Sequence, residues 1–145
     1  MPALRIDVDA AAHDNDQRAG IGFVIRDETG TAHLYVTQPI GYCNSVQAEL
    51  KAIRAAIAIA RWLRIEEYHI YCDCKYAIDT VYGCYWTKDP RSEAIAARIR
   101  RYLHRRPWIH LSWVPREENT MADQLAAVAA QGRWHFGYRK PRAQY

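Results

Sequence analysis

The chain has no apolar run approaching the ~20 residues that cross a bilayer, and no charged-then-apolar stretch of the secretory kind at its start. The expectation is a cytoplasmic protein with no membrane partner. Cysteine is sparse: Cys43, Cys72, Cys74 and Cys84. Cys72 and Cys74 flank Asp73 in a CxC spacing, and no CxxC pair with a second half-site exists, so a zinc ribbon is excluded. Buried or half-buried free thiols are expected instead. Internal repeats and low-complexity linkers are absent, so the chain reads as one domain over residues 1–132, followed by a basic, aromatic tail over 133–145 without clear period.

What is present is a core-forming composition, 50% hydrophobic over 145 residues, and a net charge of +4 that is unevenly spread. Residues 1–87 hold 8 Lys/Arg against 11 Asp/Glu, whereas residues 88–145 hold 12 against 5. An acidic centre beside a phosphate-attracting surface fits that asymmetry. Alternation and turn residues predict strands over 4–12, 20–25 and 32–37, the last two joined by the turn Asp27-Glu28-Thr29-Gly30. A helix follows over about 46–64, with Leu50, Ile53, Ile57 and Ala60 on one face. Then come a strand over 66–72, a short helix over 75–82, and a helix opened by Asp89-Pro90 as N-cap and first position. A strand over 108–114 and a helix over 120–131, stopped by Gly132, complete the pattern. The fold class is α/β: a five-stranded mixed sheet, three antiparallel strands plus two parallel, flanked by helices.

Four acids stand where a soluble fold disfavours them. Asp9 lies inside the apolar strand Leu4–Ala12, Glu49 opens the apolar stripe of the long helix, Asp73 ends a strand, and Asp123 starts an alanine-rich helix. Carboxylates near a core need a counter-ion. Oxygen ligands without His or Cys point to a hard cation, Mg²⁺ or Mn²⁺. Taken singly, three have a plain structural explanation: Asp123 within a capping box begun by Thr120, Glu49 as an exposed first-turn acid, Asp73 as a helix N-cap. Asp9, a strand-interior acid facing a core, is the hardest to explain so. Asp7 shares the strand face of Asp9.

In that order and on those elements, the motifs resemble the type 1 ribonuclease H family. Asp9-Ala10-Ala11 is similar to its first-strand signature, with Asn15, Gly20 and Gly22 in step after it. The segment Ser45 to Ala52 resembles the helix carrying the family's Glu, Ile70 to Cys74 its fourth-strand acid, and Trp113 to Ala126 the short ending of the plant-type and archaeal-type branches, which lack the basic protrusion. The resemblance implies hydrolysis of the RNA strand of an RNA–DNA hybrid by two Mg²⁺ ions, with Mn²⁺ as substitute, leaving 5′-phosphate and 3′-hydroxyl ends. Asp9, Glu49, Asp73 and Asp123 would be the catalytic metal ligands of a monomeric enzyme. Asn15, Gly20, Asn44 and Ser45 would meet the RNA strand, and Trp86 and Lys88 the DNA strand. Arg98, Arg101 and Arg105 fall on one helix face and read either as phosphate contacts or as a solvated stripe. The family's mobile-loop His has no counterpart between Val114 and Asp123, where Arg116, Glu117 and Glu118 are the polar residues. Two other functions remain open: a DNA-directed nuclease on the same fold, and a non-catalytic nucleic-acid-binding module with vestigial acids.

Overall fold

A computed structural model describes residues 4–12 and 18–138. Six strands form one sheet: β1 (Leu4–Ala12), β2 (Arg18–Arg26), β3 (Ala32–Tyr42), β4 (Tyr68–Cys72), β5 (Ile109–Trp113) and β6 (His135–Tyr138). Their order is β5-β4-β1-β2-β3-β6. The helices are α1 (Ser45–Trp62), α2 (Lys75–Tyr82), α3 (Pro90–His104) and α4 (Thr120–Ala130). The early hairpins make β1, β2, β3 antiparallel, while helical crossovers make β1, β4, β5 parallel. β1 therefore sits where the sheet changes character, with neighbours of both kinds.

The sheet has six strands where the sequence predicts five. The sixth comes from the tail: β6 pairs antiparallel with β3, and Thr37 Oγ1 donates to the Arg133 carbonyl at 2.9 Å. A four-residue strand with a glycine in it is too short to display a period. Its glycine has a specific cause, because a Cβ on Gly137 would lie 1.8 Å from the ring of Tyr35, which covers it. β3 also runs five residues past its expected end, through Pro39 to Tyr42, next to a register shift at Ala19/Gly20. Trp134 and Phe136 remain largely exposed. Arg139, Lys140 and Arg142 of the tail lie outside the described residues, as does Asn15.

The main core lies between the sheet and α1, α2, α3, where Ile6, Val8, Ile21, Phe23, Leu50, Ile53 and Ile70 are almost completely buried. On the opposite face α4 packs against β1 and β2 at very short range. A Cβ on Gly20 would fall 2.2 Å from Ala130 N, and one on Gly22 would fall 2.5 Å from Ala126 N. Small residues on both sides, Gly20 and Gly22 below and Ala122, Ala126, Ala129 and Ala130 above, set this approach. Gly20 is thus a packing residue in this structure, buried beneath α4. Of the four thiols, Cys43 and Cys72 are buried, Cys74 is half-buried and Cys84 is exposed, a departure from the expected burial. Among the described residues no helix is long and apolar enough to cross a membrane.

The strand-forming tail yields a measurable expectation. Truncation after Gly132 removes the β6 ladder and the Thr37 bond and bares the edge of β3. The melting temperature should fall by several degrees, at about 2–8 °C per kcal/mol lost. Weaker hybrid binding at an unchanged melting temperature would assign the tail to substrate instead.

Candidate active site

The carboxyl ends of β1 and β4 lie side by side at the centre of the sheet, the position where open sheets gather their functional groups. Asp9 lies in the second half of β1, opposite Gly22, and Asp73 immediately follows β4. Glu49 reaches the same point from the second turn of α1. That helix is capped by Asn44, whose side chain accepts from Gln47 N at 2.8 Å. One carboxylate oxygen from each of Asp9, Glu49 and Asp73 falls within 4.8 Å of the others. Asp9 is 4% exposed and Glu49 9%. Among the described residues none of the three has a cationic side chain at ion-pair distance.

The two strand acids divide cleanly. Asp7 is held by two arginines, Arg5 Nε at 2.6 Å and Arg26 Nε at 3.2 Å, and belongs to the framework. Asp9 has no such partner. Burial, and after it the charge of Asp73, pushes its carboxyl up to about 7, although Ala10 N donates to it at 2.9 Å. Glu49 is raised well above the usual range, first by burial and then by Asp9. Asp73 is raised too, again chiefly by burial, with Asn119 and Arg116 pulling it back down. Three acids that resist ionising together form a site for added positive charge. The donor set, all oxygen and all carboxylate, fits a hard divalent cation.

Asp123 stands at the rim. Its side chain is 41% exposed and lies 3.6 Å from Arg116 Nη2, and it interacts with both Asp9 and Asp73. The plain structural explanations for these acids do not fit their surroundings. Asn119, not Thr120, is the N-cap residue of α4, and Cys74, not Asp73, precedes α2. Glu49 is buried within its helix.

Sequence reasoning passed over two groups here. Asn119 is 1% exposed and makes no cap bond; its Nδ2 donates to Val8 O at 2.8 Å and lies 3.4 Å from Asp73 Oδ2. It ties α4 to β1 and to Asp73 at once. Its Oδ1 is buried without a hydrogen-bond partner. An Asn before a helix reads as an ordinary cap, so only the tertiary contact reveals the role. The Cys72 thiol, 3.7 Å from Glu49 Oε2, is the other, raised well above its usual value by burial. Asn119→Ala should destabilise the protein by about 1–3 kcal/mol, since Val8 O loses its donor. It should also reduce turnover more than Asn119→Ser at equal folded fraction; equal turnover in all three proteins would confine Asn119 to packing.

Of the residues named for substrate, Asn44 is exposed and reaches Asp89 Oδ2 at 3.5 Å, joining the starts of α1 and α3. Ser45 is the first residue of α1. Trp86, 89% exposed, and Lys88 sit in the loop entering α3, on the same side as Asn44. Arg98, Arg101 and Arg105 are exposed farther along α3, away from the carboxylates.

Comparison with known proteins agrees with this geometry. The reverse transcriptase-like family matches residues 7–129. The putative hydrolase EbsB of Enterococcus faecalis is 29% identical over 130 residues, covering 88% of this chain and 94% of its own. The solved RNase H1 of Halobacterium salinarum superposes with a TM-score of 0.82 at 25% identity, covering 90% of this chain and 99% of that one. LC11-RNase H1, isolated from compost, gives 0.79 at 30% identity over 91% and 98%; it has also been solved in complex with an RNA/DNA hybrid. Sheet order, carboxylate placement and these likenesses together make the chain a member of the type 1 ribonuclease H family, in its reverse transcriptase-like group.

Proposed function

We propose that this protein is a metal-dependent endonuclease that hydrolyses the RNA strand of RNA–DNA hybrids, leaving 5′-phosphate and 3′-hydroxyl ends. The observation that carries this reading is the convergence of Asp9, Glu49 and Asp73 within 4.8 Å, with no cationic side chain at ion-pair distance from them among the described residues. Asp9 would be shared, with Glu49 and Asp73 completing one divalent-ion site and Asp123 the second. Bound Mg²⁺ or Mn²⁺ would supply a nucleophilic water at neutral pH and stabilise charge on the leaving oxygen.

The chain's own groups would do the positioning. Asn119 fixes Asp73 from one side and holds the first turn of α4, hence Asp123, against β1. The Cys72 thiol donates to Glu49 Oε2 at 3.7 Å, which would help direct that carboxyl. Arg116, on the short helical turn Arg116–Glu118 and paired with Asp123, would place a cation beside a scissile phosphate. Asn44 and Ser45, at the start of the helix bearing Glu49, would meet the minor groove and its 2′-hydroxyls. Trp86 and Lys88 would follow the DNA strand. The hybrid complex of LC11-RNase H1 supports this choice of substrate.

The test is a cleavage assay on a labelled RNA–DNA hybrid, an RNA duplex and a DNA duplex, each with Mg²⁺, Mn²⁺ or EDTA. Cleavage confined to the RNA of the hybrid, and absent in EDTA, is expected. Equal cutting of all three would remove hybrid selectivity; cutting of DNA alone would favour a DNA-directed nuclease.

A further inference from the structure

Away from the carboxylates, α1 and α3 run side by side in the same direction. Asn44 and Asp89 join their starts, and Arg61 and Arg106 line one hollow at their far ends. Between them lies a furrow of about 690 Å³ floored by Ile57, Ala58 and Ile99. It continues into a hollow of about 300 Å³. Six arginines border the two: Arg54 and Arg61 from α1, and Arg98, Arg101, Arg105 and Arg106 from α3 and its end. No carboxylate lines either space. Among the described residues none of the six has an ion-pair partner. Arg106 alone is fixed, stacked 3.7 Å over the Tyr102 ring.

Unpaired like charges facing one another across a furrow repel, and proteins keep such an arrangement at a cost unless a polyanion offsets it. The spacing is regular. Arg54 to Arg61 and Arg98 to Arg105 each span seven residues, ~10 Å of helix, so the charges form two rails. Packed helix axes lie about 8–10 Å apart, so the two rails run alongside each other over the furrow. Trp62, 74% exposed, lines the furrow. Cationic rails with an open aromatic platform match a flexible sugar–phosphate strand with bases free to stack, and fit an acidic protein surface less well. The furrow is a separate place from the catalytic centre: Arg61 is twelve residues along α1 from Glu49, ~18 Å of helix rise.

We propose that the α1–α3 furrow is a second, non-catalytic nucleic-acid site that takes a single strand, such as the unpaired flank of a hybrid whose paired part lies at the carboxylates. The strand-binding itself does not depend on the catalytic reading.

The test is fluorescence anisotropy of labelled oligo(dT), about a dozen nucleotides long, with the intact protein in EDTA so that cleavage plays no part. The parent should bind it with a strong salt dependence. The triple variant R61A/R98A/R105A should show a log K against log salt slope shallower by about 2, at 0.7 per lost phosphate contact. Trp62→Ala should weaken binding roughly tenfold, and Trp62→Phe should restore most of it. All these side chains are exposed, so melting temperatures should match the parent. Cleavage of a short blunt hybrid by Trp62→Ala should also match the parent. An unchanged salt slope in the triple variant would overturn the proposal, as would complete displacement of oligo(dT) by a short blunt hybrid, which would put the strand in the catalytic cleft. A parent that ignores oligo(dT) but binds phosphatidylserine vesicles would overturn it in favour of a membrane surface. Loss of hybrid cleavage with oligo(dT) binding intact would count against the catalytic reading alone.

Discussion

Asp9→Asn should abolish hybrid cleavage while leaving hybrid affinity close to that of the parent. The amide is isosteric but neutral, and Asp9, like Asp73, interacts with each of the other three acids. The expected loss in turnover exceeds the roughly 10²–10³-fold typical of removing one electrostatic contact, because a shared ligand serves both ion sites. The same substitution should stabilise the metal-free protein. Below pH ~4 the Asp9 carboxyl is protonated whether the chain is folded or not. Between that point and pH about 7 the unfolded chain releases a proton that the folded chain retains, so folding weakens as pH rises. Above about 7 the penalty is complete, on the order of a few kcal/mol shared with Glu49 and Asp73. Thermal melts in EDTA should therefore show the Asp9→Asn variant above the parent at pH 8 and level with it near pH 4. Mg²⁺ should raise the parent's melting temperature more than the variant's. A variant that cleaves like the parent, or gains nothing in stability at pH 8, would remove Asp9 from the metal site.

The second large effect is expected from a single methyl group. In Gly22→Ala the new Cβ would stand 2.5 Å from Ala126 N and 2.8 Å from Ala122 O, both backbone atoms with no rotamer to escape into. Helix α4 must lift from the sheet. Overpacking of this kind costs about 1–3 kcal/mol, and more where backbone must move. Lifting α4 also carries Asp123 and Asn119 away from Asp9 and Asp73. Displacement by about 1 Å at a reacting centre costs on the order of 10² in rate. Turnover should fall by about that factor even at temperatures where the variant is fully folded by circular dichroism. Parental melting temperature and parental turnover together would mean that α4 does not seat on Gly22.

Sequence patterns carried the long elements because their signals are local. Asp89-Pro90 opens α3 as expected, with the Asp89 side chain accepting from Arg91 N, and the 3.6-residue stripe of Leu50, Ile53 and Ile57 is the buried face of α1. A shared cluster was legible from four acids in unlikely places on rigid elements; Asp9, Glu49 and Asp73 converge, with Asp123 at the rim. What escaped depends on contacts distant in sequence. His135 to Tyr138 becomes a strand only because the edge of β3, nearly 100 residues earlier, is there to pair with it. The meaning of Gly20 changes once α4 is seen above it, and Asn119 looks like a cap until its amide is found on Val8. The three arginines of α3 share a face, as their spacing requires, but only the parallel course of α1 shows where that face lies.

The position of α4 has a consequence for the protein during its own synthesis. Asn119 and Asp123 leave the ribosome about fifty residues after Asp73, roughly 3–10 s later at ~5–20 residues per second. Until then the nascent chain has its inner acids but neither the residue that anchors Asp73 nor the rim carboxylate, and the groove over Gly20 and Gly22 is uncovered. On the proposed reading, cleavage is thereby deferred until α4 has been made, and a ribosome stalled before residue 119 would hold a chain that lacks both Asn119 and the rim carboxylate.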